Sequence, residues 1–281
     1  MKGEELMEKY SVLMSLYIKE KPEYLDLAIK SMVEQTLKPD EIVIVKDGPI
    51  TDELQAVLNK YANAYPDLFN IVGYEKNRGL GLALNFGLEY CRNELVARMD
   101  TDDISKPDRC EKQVKAFSER PERDIIGGDI TEFIGSESNI VGKRVVPKTN
   151  EDIREYMKKR CAFNHVSVMY KKSAVQAAGG YQDWFWNEDY FLWIRMWLNG
   201  AIFANTGTVL VNVRTGKEMY QRRGGKKYFD SEKGLQDYML EHKMINRITY
   251  IENVAKRFIV QKMLPNSIRG WVFRKFAREN I

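Results

Sequence analysis

The first hundred or so residues alternate short apolar runs with segments of helical spacing, and few architectures accept that pattern. Ser11–Tyr17, Glu41–Val45, Leu68–Tyr74 and Leu95–Met99 have strand length and read as nearly unbroken apolar runs. Between them, Leu25, Ala28, Ile29, Met32 and Val33 recur at helical spacing behind Pro22, and the repeat runs through Thr36. Leu54, Val57, Leu58, Tyr61 and Tyr65 do the same behind Thr51, a natural helix cap. A third helix follows Asn77-Arg78-Gly79 and runs to about Tyr90. Buried strands alternating with helices predict an α/β chain with a Rossmann-like, mostly parallel sheet covered on both faces. Ligands of such sheets bind beyond the carboxyl ends of the strands. Asp47, Asn77-Arg78-Gly79 and Asp100–Asp103 each follow a strand directly, so all three are expected on one rim.

The last of these, Asp100-Thr101-Asp102-Asp103, places three carboxylates in four residues. They repel one another when ionised, and a divalent cation removes that cost. Hard Mg²⁺ or Mn²⁺ takes one or two carboxylates together with substrate phosphate oxygens. In an extended segment Asp100 and Asp102 point the same way. A solvated turn, or a cap on the helix that Pro107 opens, accounts for the same residues without a ligand.

Beyond Asp103 the pattern loosens. A helix is expected near Pro107–Phe117, strands at Asp124–Gly128 and Ile130–Ile134, and a hairpin near Val141–Val145. A polar helix over Asn150–Lys159, a strand at Val166–Tyr170 and a turn at Gly179-Gly180-Tyr181 follow. Leu192, Trp193, Met196 and Trp197 mark a helix, and 202–214 supplies a late strand. From Asp230 the chain reads as helical and basic, with a break at Pro265.

Composition narrows the class. With 281 residues the chain can bury a good core, and no apolar run reaches the eighteen or so residues of a membrane span. The charged start Met1-Lys2-Gly3-Glu4-Glu5 lacks a signal core, so a cytoplasmic protein is expected. Cys91, Cys110 and Cys161 show no metal-ligand spacing, and only His165 and His242 are present, which argues against a zinc site. The net charge of +4 is uneven: from Arg214 onward 16 Lys/Arg face 7 Asp/Glu, a balance of +9, leaving −5 for the rest. A basic end on an acidic body suits an anionic partner such as nucleic acid, lipid head groups or diphosphate.

Other residues admit a chemical reading beside a structural one. Asn77-Arg78-Gly79-Leu80-Gly81 opens a helix with free N–H groups that favour an anion, or is a simple strand-to-helix turn. Glu188-Asp189, beside Trp184 and Trp186, can act as a general base near a sugar-stacking surface, or can stabilise a helix start. His165 can bind substrate or metal, or serve as a hydrogen-bonded structural histidine. Arg222-Arg223-Gly224-Gly225 can clamp a diphosphate, or is a solvated loop. At the C-terminus Phe258, Ile259, Met263, Ile268, Trp271, Phe273 and Phe276 interleave with cations, which suits either a membrane interface or docking on the body.

Taken in order, several segments resemble the family 2 glycosyltransferases of GT-A fold, closest to bacterial enzymes of capsule, O-antigen and exopolysaccharide synthesis. They are Ser11–Ser15 with Ser31–Thr36, Ile42–Gly48, Asn77–Gly81, Met99–Asp103, Gly179-Gly180-Tyr181, Glu188-Asp189 with Leu192-Trp193, and 219–225, together covering about residues 10 to 225. The resemblance implies a GT-A domain over 1–225, with a nucleotide half at about 10–105 and an acceptor half at 106–225. Residues 226–281 would form a basic amphipathic helical tail. It implies that Asp47 contacts the uracil of a UDP-sugar and that Asn77, Arg78 and Gly79 line the nucleotide side. Asp100 would lie near ribose and metal, Asp102 would hold Mn²⁺ or Mg²⁺, and His165 would be a further ligand. Arg222 and Arg223 would meet the diphosphate, and Trp184 and Trp186 the acceptor. Asp189 would be the base, with Glu188 beside it, and inversion at the anomeric carbon is implied. The implied acceptor is a lipid-linked oligosaccharide, with no nucleic acid partner and the basic tail on the inner face of the bacterial membrane.

Two departures qualify the resemblance. Arg223 is followed by Gly224-Gly225 where processive members carry a QxxRW motif, so one sugar per acceptor is expected. Tyr17–Lys21 lacks the Asn-rich loop of many members. Two other readings stay open: a nucleotidyltransferase that makes nucleotide-sugars, and a sugar-nucleotide-binding module without catalysis.

Overall fold

The computed structural model describes residues 8–216 and 225–264. Its first half follows the sequence pattern closely. Strands β1 (Tyr10–Leu16), β2 (Glu41–Asp47), β3 (Phe69–Tyr74) and β4 (Leu95–Met99) lie parallel in the order β3-β2-β1-β4. They are joined by α1 (Pro22–Val33), α2 (Asp52–Ala64) and α3 (Leu80–Tyr90). Pro22 opens α1, where its missing N–H costs nothing. The Thr51 hydroxyl caps α2 by accepting from the Leu54 amide at 3.3 Å.

Two-residue alternation assigns each strand residue to one of two cores. Val12, Met14, Ile42, Ile44, Leu95 and Ala97 face α1, α2 and α4 (Arg109–Glu119). Leu13, Val43, Val45 and Val96 face α3 and α7 (Glu188–Leu198) on the other side. Both faces are covered, as strands this apolar require.

Past β4 the sheet becomes mixed. It continues to β8 (Met169–Lys171), β6 (Ile125–Phe133), β9 (Phe203–Arg214) and the two-residue β5 (Ile104–Ser105), with β7 (Ile140–Arg144) paired on β6. β6 runs parallel to β9, and the β4–β8, β6–β8, β6–β7 and β5–β9 pairs are antiparallel. The two strands expected at Asp124–Gly128 and Ile130–Ile134 are one strand, β6, whose register against β9 shifts around Asp129. Gly127-Gly128 marks a close approach and not a break: a Cβ on Gly127 would sit 2.4 Å from Asn205 Oδ1, and one on Gly128 would sit 2.6 Å from Leu210.

The strand expected over Val166–Tyr170 also needs correction. His165–Ser167 is a 3₁₀ turn, and pairing begins only at Met169. Ser167 explains this, since its hydroxyl lies within hydrogen-bonding distance of the Asn164 and Gly128 carbonyls and holds the turn closed. A short helix α6 (Lys172–Ala177) follows, and then Gly179 and Gly180 turn with φ of +81° and +66°. α5 (Asn150–Met157) is capped by Thr149.

After residue 225, α8 (Lys226–Glu241) and α9 (Arg247–Phe258) pack on the body, followed by one π turn at Ile259–Met263. Leu235, Met239 and Ile245 join the core that α3 and α7 share.

Candidate active site

The parallel register brings the three strand ends to one rim. Asp47 pairs with Tyr74 across β2–β3, while Met14 of β1 pairs with Ile44 on one side and Met99 on the other. Asp47 is buried and its carboxylate is fully engaged. It accepts from the Tyr74 hydroxyl (2.8 Å), Asn77 Nδ2 (2.8 Å) and the amides of Arg78 (2.7 Å) and Gly79 (3.1 Å). A carboxylate offers about four lone-pair sites, so Asp47 is the brace that shapes the Asn77-Arg78-Gly79 loop. Arg78 stacks its guanidinium on the Tyr74 ring, 4.7 Å from the centroid. Gly48 lets the loop come this near: its φ is +87°, and a Cβ there would lie 2.7 Å from the Asn77 nitrogen.

Beside this loop lies the acidic turn. Carboxylate oxygens of Asp100, Asp102 and Asp103 all fall within 4.8 Å of one another. Asp100 is held by the buried Arg98, whose Nη2 lies 2.5 Å away. Asp103 is buried and accepts from the Arg214 amide at 2.7 Å, and Arg214 Nε donates to the Asp102 carbonyl at 3.0 Å. A fourth carboxylate, Glu20, accepts from the Thr101 hydroxyl at 2.8 Å. Sequence reasoning passed over Glu20, although it follows the end of β1, the strand beside β4.

Burial, then the charges of Asp100 and Glu20, push the Asp102 carboxyl up to about 7. Burial and the same neighbourhood raise Asp103 well above the carboxylate range, and burial also raises Glu20. Crowded oxygen ligands whose ionisation is penalised fit a hard divalent cation, so the residues present suit Mg²⁺ or Mn²⁺. His165 is not in this group. Its Nε2 lies 2.9 Å from the Tyr181 hydroxyl, its ring packs near Trp193, and burial keeps it neutral.

The second acidic group stands at the start of α7. Gly81 of α3 packs against Glu188, where a Cβ would lie 3.0 Å from the Glu188 Cβ. The loop that Asp47 shapes therefore abuts the Glu188-Asp189 pair. Asp189 accepts from the Tyr190 amide at 2.7 Å and lies 4.0 Å from Cys161 Sγ. Burial, then Asp189, raises Glu188 to about 7, with a further contribution from Asp100. Burial raises Asp189, opposed by the Tyr190 amide, Arg98 and Arg144. The charge of Arg98, which is paired with Asp100, also lowers the Asp102, Glu188 and Asp189 carboxyls, while Arg98 Nε and Nη1 have no acceptor among the described protein groups.

The two tryptophans divide. Trp184 is half-buried, donates from Nε1 to the Ser231 carbonyl at 3.1 Å and packs on Phe191, 4.1 Å between centroids. Trp186 is 51% exposed, stacks on Phe185 at 4.5 Å and holds a φ of +56°. A bulky residue in that region is strained, and such strain concentrates at ligand-binding positions. Arg222 and Arg223 lie outside the described residues.

These shifts predict a pH dependence. Unfolded, Asp102 and Glu188 titrate near 4, whereas folded they titrate near 7. The folded chain binds more protons between those values, so metal-free stability falls as pH rises from about 4 to about 7. Thermal melts in EDTA should show this decline, and Mn²⁺ at pH 7.5 should recover part of it. A melting temperature that is flat across the window, with or without Mn²⁺, would contradict the crowding.

The geometry can be set beside known proteins. The family model described as "Glycosyl transferase family 2" matches residues 11–181. The amylovoran biosynthesis glycosyltransferase AmsE of Erwinia amylovora is 44% identical over 223 residues, 79% of this chain and 82% of its own. The Escherichia coli UDP-Gal:alpha-D-GlcNAc-diphosphoundecaprenol beta-1,3-galactosyltransferase is 37% identical over 274 residues, covering 96% of this chain and 97% of its own. Among solved structures, S. aureus TarS 1-349 in complex with UDP-GlcNAc superposes with a TM-score of 0.61 at 17% identity, covering 89% of this chain and 72% of that one.

Proposed function

The chain belongs to glycosyl transferase family 2, and from that premise we propose that it moves one sugar from a UDP-sugar to a lipid-linked oligosaccharide, with inversion, in bacterial surface polysaccharide synthesis. The observation that carries this reading is the pair of acidic groups, Asp100/Asp102/Asp103 held by Arg98 at a strand end, and Glu188/Asp189 at the start of α7, where Glu188 packs on Gly81 of α3. A leaving diphosphate and an acceptor hydroxyl need opposite treatment, one needing its charge stabilised and the other needing its proton removed. Two separated carboxylate groups supply that division. The donor named in the E. coli relative, UDP-Gal, and its diphosphoundecaprenol acceptor support the substrate class.

In this reading Asp100 and Asp102 would hold Mn²⁺ or Mg²⁺, and Asp103 would add its charge to the same group. The cation, when bound, supplies Lewis-acid stabilisation of the departing diphosphate. Asp47 fixes the loop from which Asn77, Arg78 and Gly79 meet the nucleotide. Asp189 takes the proton from the acceptor hydroxyl, and Glu188 beside it sets the local charge. Trp186 offers an exposed face to the acceptor sugar, and Trp184 anchors the segment that carries it. Arg222 and Arg223 are assigned to the diphosphate. His165, bonded to Tyr181 and outside the Asp100/Asp102/Asp103 group, would reach the metal only by releasing Tyr181. The basic segment 226–281 holds the enzyme at the inner face of the cell membrane; no helix among the described residues is long and apolar enough to cross one.

The test is nucleotide release by purified protein from UDP-, GDP- and TDP-sugars, with Mn²⁺ and with EDTA. Metal-dependent UDP release from one donor is expected. Absence of turnover together with no UDP binding in the presence of Mn²⁺ would refute the reading.

A further inference from the structure

Helix α9 is turned inside out relative to an ordinary surface helix. Beside Tyr250, which packs on the core, its inward face is held by polar groups. Asn253 is buried and donates to the Lys158 carbonyl and to Gln236 Oε1, both at 2.8 Å. Arg257 pairs with Glu232 at 2.8 Å and donates to the Lys159 carbonyl at 2.7 Å, and the Tyr250 hydroxyl donates to Asp237 at 2.7 Å. Its outward side carries exposed apolar side chains, Ile248 (69% exposed) and Ile251 (63%), and the π turn that follows continues them with Ile259 (51%) and Met263 (65%). Ile248, Ile251 and Ile259 recur at helical spacing, and Phe258 lies along the same edge. Buried hydrogen bonds thus hold the helix in an orientation that leaves its isoleucines in water. A stripe of this kind marks a contact surface.

Charge identifies the partner. Arg247, Lys256 and Lys262 flank the stripe, and the one acidic side chain near it, Glu252, is paired with Lys256 at 3.6 Å. The 17 residues beyond Leu264 add Arg269, Arg274, Lys275 and Arg278 against Glu279 alone. A second copy meeting this face about a two-fold axis would bring cations against cations. An anionic bilayer accepts both features, with apolar side chains at the acyl boundary and cations among the head-group phosphates.

We propose that the outer face of α9 is a bilayer contact, with Ile248, Ile251, Ile259 and Met263 entering the interface of an anionic membrane and Arg247, Lys256 and Lys262 meeting its phosphates. This deepens the proposed lipid-linked reading by naming where the chain meets lipid. Vesicle binding is measured without donor or acceptor, so the bilayer contact can fail, and the membrane role of segment 226–281 with it, while the transferase reading stands.

The experiment is co-sedimentation of the full chain with vesicles of phosphatidylglycerol and phosphatidylcholine, and with phosphatidylcholine alone. Binding is expected to the first mixture, to weaken with salt, and to fall about tenfold for each isoleucine replaced in Ile248→Glu and Ile251→Glu. Both side chains are exposed, so the melting temperature and UDP release of the variants should match the parent. No binding to anionic vesicles, or undiminished binding by the double variant, overturns the proposal. So does a full-chain dimer in light scattering that the double variant dissolves, since the stripe would then be an interface between copies. Binding by a chain ending at Leu264 but not by the full chain also overturns it, because residues 265–281 would then occupy the face.

Discussion

Asp102→Asn is expected to lower sugar transfer roughly a thousandfold, corresponding to about 4 kcal/mol of lost diphosphate stabilisation, while making the metal-free protein more stable. The two effects have one cause. Asp102 is held near Asp100, Asp103 and Glu20 at a site where its own carboxyl is pushed up to about 7. Above that pH its negative charge opposes the fold, and the amide removes the charge at almost constant volume. In EDTA at pH 8 the variant should melt higher, by about 2–4 °C for each kcal/mol of relieved repulsion. Mn²⁺ should stabilise the parent far more than the variant, through mass action on the folded state. Calorimetry with and without Mn²⁺ reads the two stability effects, and a transfer assay reads the third. A variant that melts lower in EDTA would show that Asp102 is a structural acceptor, and one that retains transfer would remove the acidic turn from the chemistry.

The second large effect is expected at the other acidic group. Asp189→Asn should reduce transfer by roughly a hundred- to ten-thousandfold, the range lost with a general base, and leave the affinity for UDP with Mn²⁺ unchanged. Among the described residues Asp189 makes no hydrogen bond to the Asp47–Gly79 loop or to the Asp100 turn, and its hydrogen-bond neighbours are the Tyr190 amide and Cys161 Sγ. Amide and carboxylate both accept from that amide, so the local fold should survive. Glu188→Gln is the informative companion, because Glu188 packs directly on Gly81 and its loss of charge should shift the pH at which Asp189 ionises. Transfer assays across pH 5.5 to 9 separate the two. Unchanged turnover in Asp189→Asn would transfer the role of base to Glu188 or remove it from the pair.

The first hundred residues were legible because their strands are apolar on both faces and their turns are chemically marked. Pro22, Thr51 and Gly79 opened their helices as expected, and the strand-end rule brought Asp47, Asn77 and Asp100 to one rim. The later half obeyed tertiary contacts that periodicity does not encode. Gly127-Gly128 reads as a break until β9 is seen pressed against it in parallel, and Ser167 closes a turn through a carbonyl 39 residues earlier. Glu20 was missed because its membership in the acidic group depends on Thr101, across two neighbouring strands. The saturation of Asp47 was equally hidden, since none of its four donors lies within 26 residues of it.

The indole of Trp184 has one more consequence. It bonds to the Ser231 carbonyl and leaves so little room at Gly234 that a Cβ there would come within 2.9 Å, while Leu235 and Met239 complete the core beneath. The segment after residue 225 is therefore not an interchangeable module. Grafting it from a relative would succeed only if Trp184 and Gly234 travelled together, so the loop that carries Trp184 and the terminal helices are bound to diversify as one inherited unit.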